Sequence, residues 1–210
     1  MLANVYVLNG LENNQLTIFN NNNIIPIIND KDEYSFVSKN IKKYKKLKFG
    51  IHIDTGLNRL GLKANDLLKI YSDKNKIHIL ISHLSSADEK KNNYNILQNK
   101  KFKEAINLKI NAKYNSLSNS MGIILGNNFH HDLVRPGISL YGGHFNTKMK
   151  KIIKPVISLK GKILQIKTIS KNEFVGYNQT YKTNKKIKVA VLGIGYADGI
   201  SRILSNKGHV

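Results

Sequence analysis

A chain of 210 residues that is 41% hydrophobic can bury a sizeable core, as one large domain or as one domain with a smaller companion, and is not a disordered chain. The absence of cysteine excludes disulfides, thiolate nucleophiles and cysteine-ligated zinc, and no apolar run reaches the roughly 18 residues of a membrane helix. The formal charge of +21 points toward polyanions, but the lysines are spread through the polar segments and arginine occurs only at Arg59, Arg135 and Arg202, so a basic solvated surface is expected and a specific nucleic-acid role is not.

Short apolar or β-branched runs at Val5–Leu8, Ile24–Ile28, Phe49–Ile53, Ile77–Ile81, Tyr114–Leu117 and Leu133–Leu140 predict strands. Between them, Asp32–Tyr44, Ala64–Ser72 and Lys90–Leu108 predict amphipathic helices. This alternation predicts an α/β fold with a parallel sheet. About six βα units over residues 1–152 fit part of a TIM-type (β/α)8 barrel, whose chemistry collects at the C-terminal ends of the strands. The lysine-rich stretch Asn146–Lys154 marks the boundary. From Pro155 the period becomes two, with turn signals and no helical pattern, so residues 153–210 are expected to begin a β domain. The opening segment has no basic region followed by a long apolar core, and a cytoplasmic protein without membrane association is the default expectation.

Where a composition runs so far toward lysine, each surviving arginine marks a place where a planar, permanently charged fork is not replaced by a point charge. The three lie in glycine-punctuated stretches: DTGLNRLGL around Arg59, VRPGISLYGG around Arg135, and GIGYADGISR ending at Arg202. Other candidates are His83 at a strand end, Asn119 and Ser120 where a loop enters a helix, and Tyr177 and Tyr181 in VGYNQTY. Taken singly, each reads first as ordinary structure: a capped turn, a hydrogen-bonding histidine, a sheet tyrosine.

In their order along the chain, DTGLNRLGL, SHLSSAD, the Asn119-Ser120 of LSNSMG, VRPGISLYGG, VGYNQTY and GIGYADG resemble the motifs of the alanine racemases, pyridoxal-phosphate enzymes of fold type III. The likeness covers essentially the whole chain, and the VGYNQTY and GYADG pair sets it apart from relatives that have only the barrel. The resemblance implies a homodimer of two-domain subunits that interconverts L- and D-alanine with pyridoxal 5'-phosphate for peptidoglycan synthesis. Each barrel would hold the cofactor while the partner's β domain closes the site.

Carried over residue by residue, the resemblance puts Arg135 opposite the pyridine nitrogen of the cofactor. His83 would pack against the ring, with Asn119 beside it. Ser120 and the backbone N–H groups of Gly137 and Ile138 would hold the phosphate. Arg59 would lie near the phenolic oxygen and the substrate carboxylate, Tyr177 would be the catalytic tyrosine acting on the L-enantiomer, and Tyr196 would narrow the entrance. No metal is implied.

Three departures bear on activity. Racemisation requires a base on each face of the reacting carbon, and the family's second base is a lysine that also carries the cofactor, in a K-A-[DN]-A-Y-G-H-G segment absent from this sequence. The G-R-[VI]-S-M-D segment is absent too, so the chain reads as a fragment truncated at both ends and is expected to be inactive by itself. Third, His52 stands where many members have a lysine that can be carbamylated to orient the following arginine. Two alternatives stay open: a noncatalytic remnant or basic binding protein, and a racemase of broader amino-acid specificity.

Overall fold

Runs that are apolar at nearly every position have two faces to bury, which suits strands covered on both sides. In the computed structural model, which describes residues 3–12, 14–67, 77–108, 110, 112–144 and 147–208, these runs form β1 (Val5–Val7), β2 (Ile24–Ile28), β3 (Phe49–His52), β4 (Ile77–Ile81) and β5 (Tyr114–Ser116). The strands pair in that order and all in parallel, as in a partial TIM-type barrel. Pro26 in the middle of β2 has no N–H to give. It pairs with Val7 of β1, and the ladder to β3 starts only at Ile27.

The connections include α1 (Leu16–Asn21), α2 (Lys31–Asn40), α3 (Ala64–Leu67), α4 (Asn93–Asn107), α5 (Gly122–Leu125) and α6 (Thr147–Ile152). Asp30 caps α2 by accepting from Glu33 N at 2.8 Å, and Asn92 caps α4 by accepting from Tyr94 N at 2.9 Å. The helix predicted to Tyr44 ends at Asn40, in a turn where Lys43 N and Tyr44 N both donate to the Asn40 carbonyl and Leu47 is buried. Of the helix predicted over Ala64–Ser72, the part beyond Leu67 lies outside the described residues.

Successive residues of a strand face opposite ways, and β4 shows it: Leu80 joins the main core with Val37 of α2 and Phe102 of α4, whereas Ile79 and Ile81 join Ile27, with Tyr6 and Tyr114 packed against them. The sheet is thus covered by helices on one face and filled by large aliphatic side chains on the other. Gly50 of β3 is where this filling is tightest. A Cβ there would stand 2.4 Å from Ile27 Cδ1 and 2.6 Å from Ile79 Cγ2.

One predicted strand is not formed. Leu133–Leu140 runs beside β5, with Leu133 N on Asn115 O and Arg135 N on Ser118 O, but it has no regular ladder and ends in a 3-10 turn over Ile138–Tyr141. Pro136 lacks a donor, and Arg135 turns its side chain back toward the ends of β4 and β5, so the sixth apolar run becomes a site loop.

Contacts divide the chain into two units, Met1–Val156 and Ile157–Val210. Met149 of α6 is buried in the core of the first unit, which ties the lysine-rich stretch to it. In the second unit β6 (Ile163–Ile169) pairs antiparallel with β9 (Ile187–Leu192), and β7 (Phe174–Val175) pairs antiparallel with β8 (Tyr181–Lys182). Thr183 is its buried polar anchor, donating from Oγ1 to Ser170 O at 2.6 Å and accepting from Glu173 N at 3.0 Å. Residues 155–162 are irregular, so the run predicted as a strand from Pro155 forms one only from Ile163.

Candidate functional site

Strands β3, β4 and β5 end at one level, and each passes into a loop rich in Ser, Thr, Asn or His. After β5 comes Leu117-Ser118-Asn119-Ser120, and Arg135 returns to the same place from the loop beyond. Its Nη1 donates to Ser116 O at 2.8 Å and to Ser116 Oγ, and its Nη2 donates to Ser82 O. The guanidinium therefore bridges the ends of β4 and β5, which already share the bond from Ser82 N to Ser116 O. Burial pulls its pKa down to about 10, which leaves it a cation at neutral pH.

His83, one residue past Ser82, is fixed in a single protonation state by its neighbour. Asn119 Oδ1 accepts from the backbone N–H groups of Met121 (3.1 Å) and Gly122 (2.9 Å), which can only donate. Its Nδ2 must then face His83 Nε2, 3.2 Å away, and an amide N–H can bond only to a ring nitrogen with a free lone pair. His83 is accordingly neutral with its proton on Nδ1. Burial, then the charges of Arg135 and Arg59, push its pKa down to about 4, in agreement.

Ser120 Oγ accepts from Gly137 N at 2.8 Å and from Ser139 N at 3.4 Å, which joins the end of the β5 loop to the start of the 3-10 turn. His83, Asn119, Ser120, Arg135, Gly137 and Ile138 all line one cavity of about 350 Å³. Six candidates separated by up to 55 positions in the chain thus meet on one small space. No lysine is among its described lining residues.

Arg59 is placed differently. The loop after β3 doubles back through bonds from Leu62 N to His52 O (2.8 Å) and Asp54 N to Leu62 O (2.9 Å), while Asp54 Oδ1 takes Gly56 N and Asn58 N. Gly61 allows that return with φ at +115°, and a Cβ there would lie 2.7 Å from Asp54 N. Arg59 stands exposed on the loop, outside the cavity lining, yet close enough for its charge to hold down the His83 and His52 rings. Tyr177 and Tyr196 belong to the second unit, where they line another, open cavity of about 1290 Å³ and are 89% and 72% exposed.

Several further participants lie outside the expected site residues. His52 is buried and donates from Nδ1 to Asn29 Oδ1 at 2.9 Å, because Asn29 spends its amide N–H groups on the Leu8 and Ile27 carbonyls at 3.1 Å. Burial, followed by Arg135, pushes its pKa down to about 4. Thr55 Oγ1 and Ser82 Oγ lie 2.8 Å apart, both buried, and Gln98 of α4 reaches Thr55 and the His83 carbonyl. For Thr55 and Ser82 the one available hint was a small polar residue ending each hydrophobic strand, too common a pattern to single them out, and Gln98, inside α4, had none.

The chemistry of this donor set suits a phosphorylated ring. Neutral oriented donors (Ser120 O–H, Gly137 N–H) fit a phosphate, a guanidinium held flat by three acceptors fits a lone pair, and the volume falls in the range of small-molecule pockets.

Comparison with known proteins reinforces that fit. The family model described as "Alanine racemase, N-terminal domain" matches residues 2–144, and "Alanine racemase, C-terminal domain" matches 156–210. The alanine racemase of Rickettsia bellii is 34% identical over 216 residues, covering 99% of this chain and 52% of that protein; that of Brucella suis is 34% identical, covering 98% and 57%. The chain spans about half the length of the curated relatives it matches. Among solved structures, alanine racemase from Bartonella henselae with covalently bound pyridoxal phosphate is 31% identical with a TM-score of 0.77, covering 95% of this chain and 57% of that one. The Acinetobacter baumannii enzyme is 25% identical with a TM-score of 0.81, covering 93% and 57%.

Proposed function

Because the chain belongs to the alanine racemase family, we propose that its cavity is a pyridoxal-phosphate site and that it serves the interconversion of L- and D-alanine. The observation that carries this reading is the convergence of Arg135, His83, Asn119 and Ser120 on one space at the C-terminal ends of parallel strands. When bound, the cofactor supplies a conjugated ring that makes the Cα proton of alanine removable.

The protein's own groups do the rest. Arg135 would hold the ring's nitrogen side with a cationic guanidinium, a charge that disfavours protonation there and so would limit the chemistry to moving one proton. Neutral His83, its tautomer held by Asn119, would contact the ring without adding a second cation. The Ser120 hydroxyl and the N–H groups of Gly137 and Ile138 would hold the phosphate, exchanging the present bond from Gly137 N to Ser120 Oγ for bonds to it. Arg59 takes the alanine carboxylate. Tyr177 would remove the α-proton from the L-enantiomer. Tyr196 narrows the entrance.

We further propose a homodimer in which the partner copy brings Tyr177 and Tyr196 to this cavity, which their high exposure in a common cavity of the second unit supports. Since no lysine lies in the described lining, the 210 residues are expected to bind the cofactor reversibly and not to turn over alanine. A noncatalytic binder is the second reading, favoured by that same lining. The test is titration of the purified chain with pyridoxal phosphate, followed by absorbance and calorimetry, beside an assay of D-alanine formation. Reversible binding abolished by Ser120→Ala combined with Arg135→Lys supports the assignment. Binding indifferent to both substitutions, or racemisation by the chain alone, overturns it.

A further inference from the structure

Helix α4 packs on the outer face of the sheet, yet its Gln98 carboxamide reaches the ends of two strands. Gln98 is fully buried, and its amide is saturated. Oε1 accepts from Ser85 N at 2.9 Å and from Ser85 Oγ at 3.1 Å; Nε2 donates to His83 O at 3.1 Å and to Thr55 Oγ1 at 3.3 Å. The orientation is unambiguous, because a backbone N–H can only donate and the His83 carbonyl can only accept. Having accepted from Gln98, Thr55 Oγ1 is free to give its own hydrogen to Ser82 Oγ at 2.8 Å, and the Ser82 carbonyl receives Arg135 Nη2. One turn earlier Asn95, also buried, donates to Ser86 O and Glu89 O at 3.0 and 3.1 Å, so the helix grips the loop after β4 at two points.

We propose that Gln98 is a positioning residue: it holds the backbone of His83 directly, and Arg135 through Thr55 and Ser82, so that both groups meet the cofactor in register. This rests on the reading of His83 and Arg135 as cofactor contacts. Gln98 touches no ligand itself. Its four bonds replace the water that would otherwise satisfy the loop, and a carboxamide alone among side chains of that shape offers two donors and two acceptors at once.

Gln98→Glu separates this role from mere packing. A carboxylate keeps the shape but faces the His83 carbonyl with a lone pair; burial raises its pKa above the usual value of about 4.3, and once protonated it regains one donor. Measured against the native chain, the affinity of Gln98→Glu for pyridoxal phosphate is expected to be near parity at low pH and to fall about tenfold as pH rises through that pKa. The ring ¹⁵N signals of His83 should shift with the same midpoint. Thr55→Val, which cuts only the second route, should move the Arg135 guanidinium signals and leave those of His83 in place. An affinity ratio flat in pH together with unmoved His83 signals overturns the proposal, and so does Thr55→Val with unmoved Arg135 signals. If the native chain binds no pyridoxal phosphate, the cofactor reading fails, and the nuclear resonance signals still decide the role of Gln98.

Discussion

Arg135 does two jobs with one guanidinium: it closes a gap between the ends of β4 and β5, and it presents fixed charge to the cavity. Lysine has no fork, so Arg135→Lys is expected to leave Ser82 O or Ser116 Oγ without the donor it has now, at about 1–3 kcal/mol in stability by urea denaturation. It should also weaken binding of pyridoxal phosphate about tenfold by calorimetry. The two buried histidines give the site a pH signature. Both have a folded pKa near 4 against 6.5 when free, so between those values the unfolded chain binds protons that the folded chain does not. Stability from these rings is full above pH 6.5 and is lost as pH falls toward 4. Urea midpoints measured from pH 8 to about 5 should decline, and His52→Asn should flatten the decline. Arg135, His83 and Ser120 were legible as candidates because each sits in a motif. The tautomer of His83 was not, since it depends on which way Asn119 is turned by two backbone donors.

The strands of the first unit announce themselves by uninterrupted apolar runs, and β2 through β5 start where the sequence places them. Leu133–Leu140 shows the limit of that signal. Its composition is strand-like, but Pro136 withholds a donor and Arg135 is drawn inward by Ser82 and Ser116, so local propensity yields to a tertiary bond. α1 and α6 span six residues each, less than two turns and too few for the helical period to repeat, and burial of Leu16, Phe19 and Met149 is what marks their inner faces. Gly50 carries a sharper expectation. Adding a methyl group between Ile27 and Ile79 overfills the inner cluster, and Gly50→Ala should cost about 1–3 kcal/mol in urea unfolding, with little gain from its better strand propensity.

At the level of the whole molecule, the chain carries two kinds of surface that do not resemble each other. The first unit has a filled core and a polar cavity at the strand ends; the second holds two small antiparallel pairs, with Ile163, Leu164 and Ile166 of β6 more than half exposed. Large apolar area of that kind is normally covered by a partner. A dimer is therefore expected in sedimentation at micromolar concentration, and Tyr177→Ala should leave the binding of pyridoxal phosphate unchanged if Tyr177 acts on substrate alone. No helix among the described residues is long and apolar enough to cross a membrane. The sequence by itself determined the fold class, the family and the identity of most of the groups around the cavity, because strand periodicity and short motifs are properties of neighbouring residues. Only the tertiary structure decided that Gln98 and Thr55 bond to the strand ends beside the cavity, that His83 and His52 are neutral, and that the sixth apolar run is a loop. Each of those depends on a hydrogen bond between residues remote in the chain, and neither composition nor spacing carries the direction of such a bond.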